Sequence, residues 1–175
     1  DHDLANDAVI ADNFYGMYQM TEVLLERGMK EVGFIGSIYS TSSIMDRYCG
    51  FVKAMTQHRL NIHPEWLIED RNAQGIVEFE LPRRLPEAFV CNCDLVAGML
   101  VYKLNERGLK VPDDVSVVGF DNFLYPGYAD MKITTYEVNT KAMVRVAIKK
   151  LMKQFKNPNS GRGLEIVSGH VVMKN

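Results

Sequence analysis

Three short runs constrain this chain more than any other feature: KEVGFIGS (30–37), AFVCN (88–92) and VSVVGF (115–120). A strand with one wet face alternates polar and apolar residues, and these runs do not alternate. Strands of that kind are buried on both faces, which happens in parallel sheets covered by helices on either side. The stretches between them supply the helices. Over 14–27, Met17, Met20, Val23 and Leu24 follow three-and-four spacing, and Gly28 is a natural stop. Ile44, Tyr48, Phe51, Val52 and Met55 do the same over 42–58. A third helix is expected over 95–107, with Asp94 as its N-cap and Gly108 as its end, and a fourth over 139–155 with Met143, Val146, Ala147, Leu151 and Phe155 facing inward. Further strands are expected at 8–13, 66–71 and 132–138, a short helix at 76–84, and a last strand or strand pair at 164–175. The class is α/β, a doubly wound and mainly parallel sheet.

With 175 residues, 47% hydrophobic and 24% charged, the chain is one globular domain or a large part of something bigger. A net charge of −2 argues against a domain that binds nucleic acid or anionic membrane over its whole surface. The charge is uneven: residues 139–175 hold 8 basic side chains and one acidic, against 12 and 21 in the rest. That reads either as a basic face for a partner or as a solvated helix surface. Three cysteines beside ten methionines fit a reducing compartment, and the spacing Cys91-x-Cys93 is too short for half of a zinc site. No apolar run is long enough to span a membrane and no leader pattern opens the chain, so the expected location is the cytoplasm. Enzyme, ligand-binding domain and interaction module remain.

In open α/β sheets, ligands sit outside the C-terminal ends of the strands. After Gly36 comes a hydroxyl-rich stretch, with Ser37, Tyr39, Ser40, Thr41, Ser42 and Ser43 leading to Asp46-Arg47. There is no Gly-Lys-Ser/Thr loop and no G-x-G-x-x-G, so no nucleotide cofactor is implied. Hydroxyls with a guanidinium fork suit a neutral polyhydroxylated ligand. The same residues also make sense as helix caps and a surface ion pair. Cys93 follows the next strand, but His2, His58, His63 and His170 offer it no base at a strand end. Asp121, at the end of VSVVGF, could accept bonds from ligand hydroxyls, hold a metal or take a phosphoryl group. The last two roles need companions, for which Asp12, Asp70 and Asp94 are the available acids.

Six blocks in order carry a resemblance: VIADNFYG, LLERGMKEVGFIGS, SSIMDRYCGFVKAM, AFVCNCDLVAGML, GLKVPDDVSVVGFDN and ITTYEVNTKAM. Together they resemble the effector-binding domain of LacI/GalR-type bacterial transcription regulators. The resemblance implies a periplasmic-binding-protein-like fold of type I: two α/β subdomains, a ligand cleft between them and three crossover strands. It implies that 1–13 cross from the first subdomain, 14–131 form the second, 132–157 are a hinge strand and a basic helix of the first, and 158–175 are a return loop and terminal strands. For binding it implies Thr41, Ser43, Arg47 and Asp121, with Arg71 near a position that often carries a stacking aromatic. Cys93 stands where the family usually has Asn, and Val138 where a polar residue is common; both point to a ligand less hydroxylated on that side, or leave those contacts to other residues.

The implied partners are a sugar-like small-molecule effector, a second copy of the chain, and DNA only through a helix-turn-helix that these residues do not contain. No cofactor, metal, membrane or catalysis is implied. A sugar-binding protein of a transport system and an α/β enzyme acting on sugars, with Asp121 as acid or base, are the alternatives. Under the leading reading, removing Arg47 abolishes ligand binding with little loss of fold stability.

Overall fold

A computed structural model describes residues 7–123, 125–127, 131–157 and 163–174. Its elements in chain order are β1 (Asp7–Ala11), α1 (Asn13–Glu26), β2 (Val32–Ile35), α2 (Ser42–Gln57), a 3₁₀ turn (Pro64–Trp66), β3 (Leu67–Ile68), β4 (Ala88–Cys91), α3 (Asp94–Glu106), β5 (Ser116–Asp121), β6 (Thr134–Glu137), α4 (Thr140–Lys156), β7 (Gly163–Val167) and β8 (His170–Val172). The strands form two sheets. The larger has the order β3-β2-β4-β5-β6-β8, all parallel except β8, which runs antiparallel to β6; the smaller pairs β1 with β7 in parallel.

The two faces of the larger sheet explain why its strands lack polar alternation. Phe34, Val90, Val118 and Phe120 point to one side and pack with Met17, Met20 and Leu24 of α1 and Phe51 and Met55 of α2. Ile35, Phe89, Cys91 and Val117 point to the other side, where Val96, Ala97, Leu100 and Leu104 of α3 cover them. Each strand thus feeds two cores with alternate residues. Local chemistry starts and stops the helices. Asp12 Oδ1 accepts from Tyr15 N at 3.1 Å at the head of α1, and Thr41 Oγ1 from Ile44 N at 3.2 Å at the head of α2. Gly28, at φ +90°, ends the chain's run out of α1.

The expected helix at 76–84 is not formed. Val77 bridges back to Arg71, Glu78 N donates to Asp70 O at 2.9 Å, and Phe79 and Leu81 are buried on the α3 side. Val77, Phe79 and Leu81 bury every second residue, the period of extended chain, while Gly75 and Pro82 break any helix. The strand expected over 66–71 is short, because Pro64 opens a 3₁₀ turn in its place. Asp94 is the first residue of α3 instead of its cap, a place taken by Cys93.

The chain passes between the two sheets three times: from β1 into α1, from β6 into α4 and from β7 into β8. Asp12 N donates to Val167 O at 3.0 Å and Gly169 N to Tyr136 Oη at 2.6 Å, which ties two of these passes to their neighbours. β6, expected to accompany the basic helix, belongs to the larger sheet, where Thr134, Thr135 and Tyr136 are buried between β5 and β8. α4 packs on β1 and β7 but buries no residue completely. Val144, Ile148, Leu151, Met152 and Phe155 are exposed, so Leu151 and Phe155 do not face inward as their spacing predicts. The loop at 158–162 and the chain before Asp7 lie outside the described residues. Among the described residues, no helix is long and apolar enough to cross a membrane.

Candidate functional site

Arg47 lies one turn into α2 and reaches across the C-terminal ends of the parallel strands. Its Nε donates to Asn13 Oδ1 at 2.9 Å, Nη1 to the backbone oxygen of Asn92 at 2.6 Å, and Nη2 to Asp121 Oδ1 at 3.4 Å. The guanidinium carbon stands 3.9 Å from the centre of the Phe120 ring, a cation–π contact. One side chain therefore ties the start of α1 to the ends of β4 and β5. Burial pulls its pKa down while Asp121 pulls it up, and a guanidinium keeps its charge throughout. Among the described residues three of its five N–H groups are engaged, one on each nitrogen.

Asp121 is the partner of this charge, its side chain 29% exposed against 13% for Arg47. Burial raises its carboxyl pKa and Arg47 opposes the rise. Asp121 and Asn122 both have positive φ, +105° and +52°, a conformation side-chain-bearing residues seldom take. A cleft of about 450 Å³ opens in front of the pair. Asn13, Ser43, Arg47, Asp121 and Thr140 give it polar groups, and Val9, Val138, Phe123, Tyr125 and Met143 give it apolar walls. Phe123 and Tyr125 meet edge to face with ring centres 4.7 Å apart. Because β1 and α4 belong with the smaller sheet and the rest with the larger, the cleft lies between the two.

The sequence-predicted residues divide. Arg47, Asp121 and Ser43 share this cleft. Thr41 caps α2 from an exposed position. Arg71 turns to Gly75 O at 3.3 Å and lies 3.7 Å from Asp70, so neither it nor Thr41 is among the described residues lining the cleft. Cys93 is not among them either, although Arg47 and Asp121 are within electrostatic reach of its thiol. Burial pushes that thiol up to about 11, so it is neutral near pH 7 and a poor nucleophile.

The three acids considered as companions of Asp121 are occupied separately. Asp12 caps α1. Asp70, fully buried, accepts from Ser37 N at 2.7 Å and Asn92 Nδ2 at 3.1 Å, joining the ends of β2 and β4. Asp94 accepts from Thr135 Oγ1 at 2.7 Å and Phe123 N at 2.9 Å. Among the described residues, no three His, Cys, Asp or Glu side chains gather as a metal would require. A methyl group on Gly119 would come within 2.1 Å of Asp94 Oδ1, so this carboxylate needs a glycine beneath it.

Sequence reasoning missed Asn13, Phe123, Tyr125 and Thr140. Asn13 carried a signal, since it stands two residues past the end of β1, at the head of α1; the aromatic pair did not, because its place depends on the turn after β5. The contacts of Arg47 argue against the expectation that removing it leaves stability nearly intact. Its loss would leave Asp121 and the Asn92 carbonyl without their partner in a partly desolvated place.

Residues 21–174 match the family model of the periplasmic binding protein-like domain. The HTH-type transcriptional repressor PurR of Glaesserella parasuis is 32% identical over 164 residues, 90% of this chain and 48% of its own length. A periplasmic binding protein/LacI transcriptional regulator from Alkaliphilus metalliredigens, solved with D-xylulofuranose, superposes with a TM-score of 0.81 at 19% identity, over 97% of this chain and 65% of that one. The transcriptional regulator CelR in complex with cellobiose gives a TM-score of 0.81 at 19% identity, over 96% and 53%. The chain spans about half the length of the curated relatives it matches. Those relatives are regulators and not enzymes. The chain belongs to the periplasmic binding protein-like domain family.

Proposed function

We propose that this chain senses a small, uncharged, sugar-like effector in the cleft between its two sheets, and that in an intact regulator the bound effector changes DNA binding by a separate helix-turn-helix. The observation that carries the reading is Arg47, which ties three element ends together, lines the cleft, and among the described residues uses one of the two N–H groups on each terminal nitrogen. Such a group, beside a carboxylate acceptor and an aromatic wall, suits a ring with a hydroxylated edge and an apolar face. Arg47 and Asp121 cancel each other's charge, which favours a neutral ligand over a phosphorylated one. Ser43 and Asn13 add hydrogen-bonding groups, while on the opposite side Thr140 offers a hydroxyl between the apolar Val138 and Met143. Thr41, Arg71 and Cys93 act from outside the cleft in this reading, by holding α2, the β3 end and the head of α3.

Ligand bound across the cleft would touch both sheets and favour one relative placement of them, and by linkage the favoured placement sets the affinity for DNA. A homodimer and a cytoplasmic location fit the reading. Thermal-shift screening of the intact regulator against neutral sugars, purines and sugar phosphates tests it. A neutral sugar that stabilises the wild type and binds Asp121→Asn more weakly by about 1–3 kcal/mol is the expected result. Equal binding by Asp121→Asn removes Asp121 from the site. The 175-residue chain alone is expected to give no specific gel shift with operator DNA.

A further inference from the structure

Two consecutive residues with left-handed backbone, Asp121 and Asn122, sit where β5 delivers the acid of the cleft. Neither is glycine, and such a conformation persists only where the surroundings over-determine it. The groups that do so lie behind the turn, away from the cleft. Phe123 N donates to Asp94 Oδ2 at 2.9 Å. Thr135 Oγ1 donates to Asp94 Oδ1 at 2.7 Å and accepts from Asn122 N at 3.3 Å. The Asn122 side chain is held at both ends, its Nδ2 donating to Glu137 Oε2 at 2.6 Å and its Oδ1 accepting from Lys174 Nζ at 2.6 Å. Asp94 is 9% exposed and rests in the space left by Gly119.

We propose that Asp94 is the positioning residue of this site: its carboxylate, through Phe123 N and Thr135 Oγ1, fixes the turn at 121–123 and so aims Asp121 at Arg47 and the cleft. The proposal rests on the reading of the cleft as a ligand site for its functional meaning, but not for its structural content.

The bonding pattern is that of the ionised form. Both carboxylate oxygens accept, one from a backbone N–H and one from the Thr135 hydroxyl, which also receives Asn122 N. A proton on Oδ2 would face the Phe123 N–H and displace it, and a proton on Oδ1 would make the Thr135 hydroxyl turn from donor to acceptor; either change re-bonds the turn. Burial raises the Asp94 carboxyl to about 6, against the bonds from Thr135 and Phe123, so this protonation falls just below neutrality. Asp121 pushes the same way and Lys174 pulls back; Arg47, Tyr125 and the Cys91 thiol are the other titratable groups within electrostatic reach.

The test is amide NMR of the whole 175-residue chain between pH 5 and pH 8. The Asn122 and Phe123 amide resonances are expected to move together with one midpoint near 6, to keep that titration in Asp121→Asn, and to lose it in Asp94→Asn. Amides of α1 stay still in all three. Resonances of 122 and 123 that do not move with pH, or a titration that disappears with Asp121 and survives without Asp94, overturn the proposal. The Arg47 Nη resonances, which report the Asp121 contact, are expected to move with the same midpoint; a contact that merely adds stability would move the two amides and leave the Arg47–Asp121 pair in place. If Asp94→Asn does not fold, the wild-type and Asp121→Asn spectra decide alone. No ligand enters this measurement, so the positioning role and the effector reading can fail separately.

Discussion

The larger and the smaller sheet are both flanked by regular amphipathic helix, yet among the described residues only the larger has an interior. Around the six-stranded sheet, α1, α2 and α3 bury whole faces, with Phe34, Phe51, Phe89 and Phe120 almost without exposure. Beside the two-stranded sheet, α4 has good helix formers, an Asn139 cap and lysines in its last turn, but buries nothing fully. Phe155 is 83% exposed. Amphipathic spacing says which residues a helix would bury; whether a surface exists to receive them is decided elsewhere in the chain or outside it. Among the described residues, nothing covers the stripe of α4 that runs through Val144, Ile148, Leu151 and Phe155.

This contrast can be broken at four points. Phe51→Ala, in the larger core, should cost about 3–5 kcal/mol in urea unfolding, and a loss below about 1 would mean that this core is looser than its burial indicates. At the seam between the sheets, Arg47→Ala should cost about 3 kcal/mol as well as ligand binding. An unchanged unfolding midpoint would make Arg47 a ligand group and nothing more.

The third point is pH. Asp94 ionises near 6 in the fold and near 3.8 as an ordinary aspartate, so the folded state holds its proton more tightly than the unfolded chain. Stability from this group is therefore greatest below pH 4 and declines as pH rises to 6, by roughly 2–3 kcal/mol. The difference in unfolding free energy between wild type and Asp94→Asn should change by that amount across the window and be flat above it. The smallest effect belongs to α4: Phe155→Glu should change stability by no more than about 0.5 kcal/mol. A loss above about 2 would show that its outer face is covered in solution.

The sequence announced the larger sheet because strands wet on neither side cannot hide their composition, and strand ends then pointed to Arg47 and Asp121. It announced less wherever position depended on distant chain. The extended course of 76–84 follows from the covering of α3 by Phe79 and Leu81, which no local pattern in that polar stretch reveals. Phe123 and Tyr125 reach the cleft only because the backbone at Asp121 and Asn122 turns left-handed, and nothing in Asp-Asn demands that without Asp94, Thr135 and Lys174 behind it. The resemblance put Arg71 near a ligand position, yet Asp70 and the Gly75 carbonyl hold it aside.

Gly119 and Asp94 lie 25 positions apart in sequence and share one space. Each therefore sets what the other can become. While the acid stays, any side chain at 119 collides with it; once the acid is gone, an alanine at 119 would help to fill the hole. The two positions should drift through evolution as a single character, with glycine at 119 wherever 94 is acidic and freedom at 119 wherever it is not.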